Sequence, residues 1–119
     1  MPLFVRKDFI SAAGLPLRWK IECDALTNSD WAAIADICGP GLPKFGHVIG
    51  VPSGGLALAR EMERYCQPDS QVTLMVDDVW TTGFSMVKAA EGLTMWVGFV
   101  AFARGETPDH VWAFMETHW

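Results

Sequence analysis

Charged residues are scarce in this chain, and the few it has are more often acidic than basic. Asp, Glu, Lys and Arg make up 19% of its 119 residues, and the formal net charge is −5. A protein that binds nucleic acid generally presents a basic surface, so this composition argues against a nucleic-acid partner. A small phosphorylated ligand is not excluded, because backbone amides can hold a phosphate without basic side chains.

Long apolar runs are also missing. No segment reaches the roughly 18 uninterrupted apolar residues of a membrane-spanning helix, and the first ten residues lack the apolar stretch of a secretion signal. We therefore expect a cytoplasmic protein without a membrane partner. The three cysteines, Cys23, Cys38 and Cys66, are spaced too widely for a metal-binding pattern. They are expected to be reduced thiols that pack as small apolar residues.

The apolar content is high enough for one hydrophobic core. Hydrophobic residues make up 50% of the sequence, and the length suits a single domain over residues 1–119. The six tryptophans are more than a core of this size is expected to hide, so some should line a pocket or a subunit interface. Pairing would also cover a site in so small a domain, and we therefore expect a homodimer.

Strand and helix patterns alternate along the chain. Helices are predicted at 28–38, 56–66 and 83–92, and strands at 17–23, 47–51, 72–76, 94–103 and 110–115. This order predicts an α/β fold, a three-layer and mainly parallel sheet with flanking helices. Ligands of such sheets bind beyond the carboxyl ends of the strands. Two unusual loops, 52–55 and 77–85, are expected at such ends and hence on the same side of the sheet.

Two adjacent carboxylates, Asp77 and Asp78, come after the predicted strand 72–76. Neighbouring carboxylates repel each other and resist burial. They are therefore expected in a cleft only if a polar or cationic ligand binds there. The vicinal hydroxyls of a sugar are one such partner, and Mg²⁺ held through water is another. A solvated acidic turn is the alternative.

Hydroxyl groups and free backbone amides cluster directly after the pair, in the segment Thr81-Thr82-Gly83-Phe84-Ser85. A helix is predicted to begin there, and helix N-termini attract phosphate. Gly83 would let the backbone approach a ligand closely. Simple helix capping by a threonine is the alternative. Taken together, the acidic pair and this segment predict a site for a ribose 5-phosphate group.

The run LMVDDVWTTGFS, which ends at Ser85, resembles at every position the phosphoribosyl pyrophosphate (PRPP) motif of type I phosphoribosyltransferases. The resemblance implies the fold of that family. It also implies that Asp77 and Asp78 are the catalytic residues and contact the ribose hydroxyls. The 5-phosphate contacts would come from Val79, Thr81, Thr82, Gly83, Phe84 and Ser85.

A second stretch, GVPSGGLALA from Gly50 to Ala59, resembles the pyrophosphate loop of the same family, which ends a strand and opens a helix. The resemblance implies a cis peptide bond between Pro52 and Ser53. The pyrophosphate contacts would come from Val51, Pro52, Ser53, Gly54 and Gly55. Residues 9–20 are weakly similar to the entry segment of orotate phosphoribosyltransferases.

Three features depart from the family's pattern. Ser53 stands where the pyrophosphate loop usually has Lys or Arg. Only residues 67–71 separate the second predicted helix from the next strand, which leaves no room for the extra strand and long lid loop that cover the site in the family. Ala12 stands where the orotate enzymes have a basic residue, and this weakens orotate as the substrate.

The resemblance implies transfer of ribose 5-phosphate from PRPP to an orotate-like or purine-like base, with release of pyrophosphate. Mg²⁺ would be held by substrate and water rather than directly by the protein. Arg104 and Trp112 are weaker candidates for contacts with the base. The departures leave open a non-catalytic module that binds PRPP or a nucleotide, with a regulatory role. An interaction subunit that has kept only the fold is a third possibility.

Overall fold

The fold is built on a parallel sheet of four strands, preceded in the chain by an antiparallel hairpin. A computed structural model describes residues 3–10 and 16–117. Within this part of the chain, no helix is long and apolar enough to cross a membrane. The elements in chain order are β1 (Phe4–Ile10), β2 (Pro16–Ile21), α1 (Asn28–Cys38), β3 (His47–Gly50), α2 (Leu56–Met62), β4 (Thr73–Trp80), α3 (Phe84–Ala89), β5 (Trp96–Arg104) and β6 (Val111–Thr117).

The parallel strands stand in chain order, β3-β4-β5-β6, and β1 pairs with β2 in a separate sheet. The predicted α/β class and mainly parallel sheet are confirmed. Strands buried on both faces read as continuous apolar runs, which is why the sequence revealed the central strands. In β5, every residue from Gly98 to Arg104 is buried. The sequence pattern did not predict β1.

Helices cover both faces of the sheet, as the three-layer prediction required. α1 and α2 pack on one face, in a core cluster that includes Trp31 and Leu58 from the helices and Val76 from β4. α3 packs on the other face, where Met86 belongs to a second cluster with Met75. Met75 and Val76 thus serve opposite faces, because successive side chains of a strand alternate.

The two helical crossovers in the sheet have opposite hands. α2 joins β3 to β4 and α3 joins β4 to β5, so both steps move one strand across the sheet in the same direction. Since α2 and α3 lie on opposite faces, the two connections cannot both be right-handed, although nearly all such connections are. The lack of a further strand between α2 and β4 also leaves β3 at the sheet edge.

This edge position corrects one prediction. The apolar run 47–51 predicted a buried strand, but His47 and Ile49 are exposed and the other two residues of β3 are half-buried. Only one side of β3 has a neighbouring strand within the described residues. The pattern of apolar residues identified the strand correctly but could not tell an edge from the centre of a sheet.

Several element boundaries also differ from prediction, and α2 ends at Met62 rather than continuing to residue 66. β4 continues to Trp80 rather than ending at Val76, so Asp77 and Asp78 lie within the strand and not in a loop after it. The pairing with β5 carries the strand on, because Asp77 lies opposite a buried valine and Trp80 opposite an alanine. α3 ends at Ala89, before the glycine that was expected to close it.

Candidate functional site

The acidic pair lies towards the carboxyl end of β4, in the strand between β3 and β5. Asp77 is only 8% exposed, and Asp78 is half-buried. The backbone N–H of Asp78 donates to Asp77 Oδ1 over 2.8 Å, and the backbone N–H of Val79 donates to Asp78 Oδ1 over 2.8 Å. These two hydrogen bonds fix the direction of both carboxyl groups.

The surroundings of Asp77 favour its protonated form. Burial raises the pKa of Asp77, and the hydrogen bond with Asp78 and the charge of Asp78 raise it further, to about 8. At neutral pH the pair therefore carries a proton. A protonated carboxyl group beside an ionised one can both donate and accept hydrogen bonds. Such a pair is suited to the vicinal hydroxyls of a sugar.

The predicted pyrophosphate loop joins β3 to α2 and is tied to β4 by its backbone. The N–H of Val51 donates to the Val76 carbonyl over 2.8 Å, and the N–H of Gly55 donates to the Val51 carbonyl over 2.9 Å. The Pro52–Ser53 peptide bond is cis, as the resemblance implied. Residues 52–54 at the tip are exposed, so their backbone is open to a ligand.

The two predicted loops meet where Gly54 approaches Asp78. A β-carbon on Gly54 would lie no farther than 2.8 Å from each of the three carboxyl atoms of Asp78. Gly55 is similarly close to the Val76 carbonyl oxygen, with which a β-carbon would overlap. Glycine alone fits this approach of backbone to β4. The predicted pyrophosphate and ribose sites are therefore adjacent.

The predicted phosphate segment forms a depression at the end of β4. Its lining comes from Asp77 and residues 79–86, which include every predicted 5-phosphate contact. Gly83 has a φ of 81°, a left-handed conformation that favours glycine, and it precedes the first residue of α3. The N–H of Phe84 donates to Thr82 Oγ1 over 3.4 Å. The N-cap residue is Gly83 and α3 has no side-chain cap hydrogen bond, so the structure does not support the capping alternative.

Cys23 is a residue beside the site that the sequence did not reveal. It lies just after β2, and its thiol lies beside the Asp78 carboxylate. Burial, and then the charge of Asp78 and a hydrogen bond with it, raise the pKa of the Cys23 thiol well above its usual range. The thiol is therefore neutral and a potential donor to Asp78. No local motif marks this cysteine, because only the path of the chain after β2 brings it there.

The two candidates for base contacts lie on other strands. Arg104 ends β5, is 8% exposed, and has its pKa lowered by burial. Trp112 lies opposite Phe99 in the β5–β6 ladder and is half-buried against the core cluster of α1 and α2. The depression is instead lined from β4, the segment after it and α3. A role for either residue towards a base stays a prediction.

Asp77 and Asp78 fit a bound Mg²⁺ only together with a ligand that supplies further oxygen donors. Within residues 3–10 and 16–117, no group of three or more His, Cys, Asp and Glu side chains is arranged to hold a metal. Asp77 and Asp78 offer the oxygen donors that Mg²⁺ prefers. Mg²⁺ usually keeps several waters and binds one or two carboxylates together with substrate phosphates. The pair is therefore compatible with a magnesium ion held mainly by ligand and water.

Two solved structures with this fold are orotate phosphoribosyltransferases. The orotate phosphoribosyltransferase from Aeropyrum pernix is 22% identical to this chain with a TM-score of 0.74, and the match covers 96% of this chain and 88% of the other. The enzyme from Francisella tularensis is 14% identical with a TM-score of 0.64, and the match covers 96% and 80%. No protein-family model matches the sequence, and no curated protein is significantly similar to it.

These matches establish the fold of the chain but not its activity. The chain has the α/β fold of the orotate phosphoribosyltransferases, over nearly its whole length. Identities of this size do not carry an activity or a substrate from one protein to another, because one fold can host many functions. The activity of this protein therefore has to be inferred from its own site.

Proposed function

We propose that the protein is a phosphoribosyltransferase that transfers ribose 5-phosphate from PRPP to a nitrogenous base and releases pyrophosphate. One observation carries the proposal: Gly54 of the pyrophosphate-like loop lies directly against Asp78 of the PRPP-like segment. Two stretches of the sequence resemble the two halves of one ligand site. The whole of α2 separates them in sequence, yet they meet near the carboxyl end of β4.

Each part of the site has a proposed role. Asp77 and Asp78 contact the ribose hydroxyls. The backbone amides and hydroxyls of Val79 and residues 81–85 hold the 5-phosphate. The proposed binding position of the 5-phosphate is the depression at the end of β4, which these residues line. The exposed tip of loop 51–55 holds the pyrophosphate, and its backbone amides replace the missing basic side chain at Ser53.

The proposed reaction is a displacement at ribose C1. A ring nitrogen of the base forms a bond to C1 while the bond from C1 to the pyrophosphate oxygen breaks, and pyrophosphate leaves with the electron pair. The ring nitrogen gives up its proton, which passes by way of the acidic pair to solvent. Positive charge develops on the ribose ring, and the side chain of Asp78 stabilises it. Asp77, whose pKa is raised to about 8, can exchange a proton near neutral pH.

A bound Mg²⁺ would neutralise charge on the pyrophosphate as it leaves. Asp77 and Asp78 would hold this ion through the ribose hydroxyls and water. Arg104 and Trp112 are the proposed contacts for the base, which is orotate-like or purine-like. The replacement of a basic residue by Ala12, which lies outside the described residues, makes orotate the less favoured of the two.

The protein is proposed to act in the cytoplasm as a single domain and as a homodimer. Its three cysteines are all free thiols, which suits a reducing compartment. Only residues 66–72 lie between the helical turn after α2 and the start of β4, which is too few for a lid loop. A neighbouring subunit would supply the cover that excludes water from the reaction.

The main alternative is a module that binds PRPP or a nucleotide without catalysis, in a regulatory role. The short connection before β4 favours it, because a lid loop would serve the chemical step rather than binding. Ser53 also favours it, because the positive charge that would meet the departing pyrophosphate is missing. This alternative keeps the same ligand site. The two functions differ only in whether a bond is broken once the ligand is bound.

Pyrophosphate release separates the two functions. The native protein is incubated with PRPP, Mg²⁺ and a panel of pyrimidine and purine bases, and pyrophosphate is measured over time. We expect release that depends on one class of base, and loss of release in Asp78→Asn. PRPP binding without release for any base would support the regulatory module. Release that is equal with and without a base would reflect hydrolysis and contradict transfer.

A further inference from the structure

We propose that Trp80 is the positioning residue of the 5-phosphate loop, a role that rests on the proposed function. The resemblance to the PRPP motif assigned no role to Trp80. In the structure, the indole ring lies directly against Gly83. A β-carbon on Gly83 would lie no farther than 2.8 Å from each of three ring atoms of Trp80.

The indole ring is itself held firmly. Trp80 is the last residue of β4 and only 7% exposed. It belongs to the core cluster that also contains Val51, from the pyrophosphate-like loop, and Met86, from the first turn of α3. The residue opposite Trp80 on β5 is Ala103, whose small side chain leaves space for a large ring beside it. Trp80 is therefore a rigid support rather than a mobile surface tryptophan.

The ring of Trp80 contacts the 5-phosphate loop at Gly83, the residue of that loop with the most constrained backbone. Gly83 has a φ of 81° and immediately precedes α3, and its carbonyl accepts the first hydrogen bond of that helix, from the N–H of Val87 over 3.0 Å. Trp80 and Gly83 both line the depression that the 5-phosphate is proposed to occupy. The ring thus sets how far the amides of residues 81–85 stand above the end of β4.

A smaller side chain at position 80 would leave a gap beneath Gly83. The loop would then sink or adopt several positions, and its amides would lose the spacing that a phosphate requires. Loop 51–55 shares a core cluster with Trp80 only through Val51, and the position of Val51 is also fixed by the hydrogen bond from its N–H to the Val76 carbonyl. The loop's approach to Asp78 is made through Gly54 and not through Gly83. Loss of the ring should therefore affect phosphate binding at one end of the ligand and leave pyrophosphate binding at the other end intact.

The test compares two ligands in Trp80→Leu by calorimetry, ribose 5-phosphate and inorganic pyrophosphate, both with Mg²⁺. We expect the Kd for ribose 5-phosphate to rise by at least about tenfold and the Kd for pyrophosphate to stay within about twofold. Trp31→Leu is the matched control, because Trp31 is 4% exposed but packs in the other core cluster. It should lower Tm without changing either Kd.

Two further variants keep the proposal falsifiable if Trp80→Leu does not fold. Gly83→Ala should weaken ribose 5-phosphate binding, because its methyl group collides with the ring. Adding Trp80→Phe should restore part of the affinity, since the shorter ring makes room. Gly92→Ala, where φ is 88° but no atom lies within 4 Å of an added β-carbon, controls for the cost of a left-handed backbone alone.

The outcomes are distinguishable. If the native protein does not bind ribose 5-phosphate, the proposed function fails and the role of Trp80 fails with it. If the native protein binds it and Trp80→Leu binds it equally well, only the role of Trp80 is overturned. A loss of both ligands in Trp80→Leu, or no recovery on adding Trp80→Phe to Gly83→Ala, would also overturn that role.

Discussion

At the scale of single residues, Asp77 combines a proposed function with a cost to stability. The folded protein binds a proton at Asp77 more tightly than the unfolded chain does, because burial and Asp78 raise its pKa to about 8. Between the unfolded pKa of about 4 and this value, the folded state holds more protons than the unfolded state. The contribution of Asp77 to stability therefore falls as pH rises through this window.

Asp77→Asn removes this cost, because a neutral amide replaces the buried acid and can still accept the hydrogen bond from the N–H of Asp78. We expect the variant to be more stable than the native protein at pH 8, on the order of 5 kcal/mol, and the difference to vanish near pH 4. Thermal unfolding at a series of pH values measures this difference.

Asp69→Asn is a control in which the pKa of the replaced carboxyl group is lowered rather than raised. Asp69 forms an exposed ion pair with Lys44 over 2.6 Å, and the hydrogen bond from Lys44 lowers the pKa of Asp69. Its stabilising contribution is present above the unfolded pKa and is lost as pH falls. Asp69→Asn should therefore be no more stable than the native protein at pH 8. A decrease in stability for Asp77→Asn at pH 8 would contradict the raised pKa.

At the scale of elements, the site depends on how closely loop 51–55 approaches β4. Gly54→Ala should push the loop and the Asp78 carboxylate apart, with a loss of about 1–3 kcal/mol in stability and at least about tenfold weaker PRPP binding. Gly41→Ala is the matched control, since an added β-carbon there meets nothing within 4 Å. Equal PRPP affinity in both variants would show that the contact of Gly54 with Asp78 does not shape the site.

The secondary-structure elements also show what could be predicted from the sequence and what could not. α1 was predicted with its correct bounds because its signal is local: Thr27 Oγ1 accepts from the N–H of Asp30 over 3.2 Å, and the N–H of Thr27 donates to Asp30 Oδ2 over 2.8 Å. The cis bond between Pro52 and Ser53 was predicted from motif resemblance. The exposure of β3 and the position of Cys23 depend on contacts between distant segments, which no local pattern contains.

At the scale of the whole molecule, some tryptophans were expected to line a pocket or a subunit interface, and Trp80 does line the depression at the end of β4. Of those with described side chains, Trp31 and Trp80 are buried and Trp96 and Trp112 are half-buried. Among the side chains that the structure describes, the large apolar ones that are more than half exposed are Ile37, Phe84, Val87 and Met95. A homodimer therefore has to be tested on the intact protein rather than inferred from its tryptophan content.

Sedimentation equilibrium provides that test. The proposed second copy would cover a site that has no lid loop, so we expect a mass of twice the 13.1 kDa of one chain at micromolar concentration. PRPP with Mg²⁺ should strengthen the association, because a ligand that bridges or orders the covered site favours the paired state. A mass of 13.1 kDa that PRPP does not change would contradict the dimer.

The ribose-phosphate site at the end of β4 is tested by calorimetric titration of PRPP into the native protein and into Asp77→Asn/Asp78→Asn, each with and without Mg²⁺. We predict that the native protein binds PRPP, that Mg²⁺ strengthens this binding, and that the double variant loses at least about tenfold in affinity. Equal binding by the two proteins, or no binding by the native protein with Mg²⁺ present, would contradict a site of this kind.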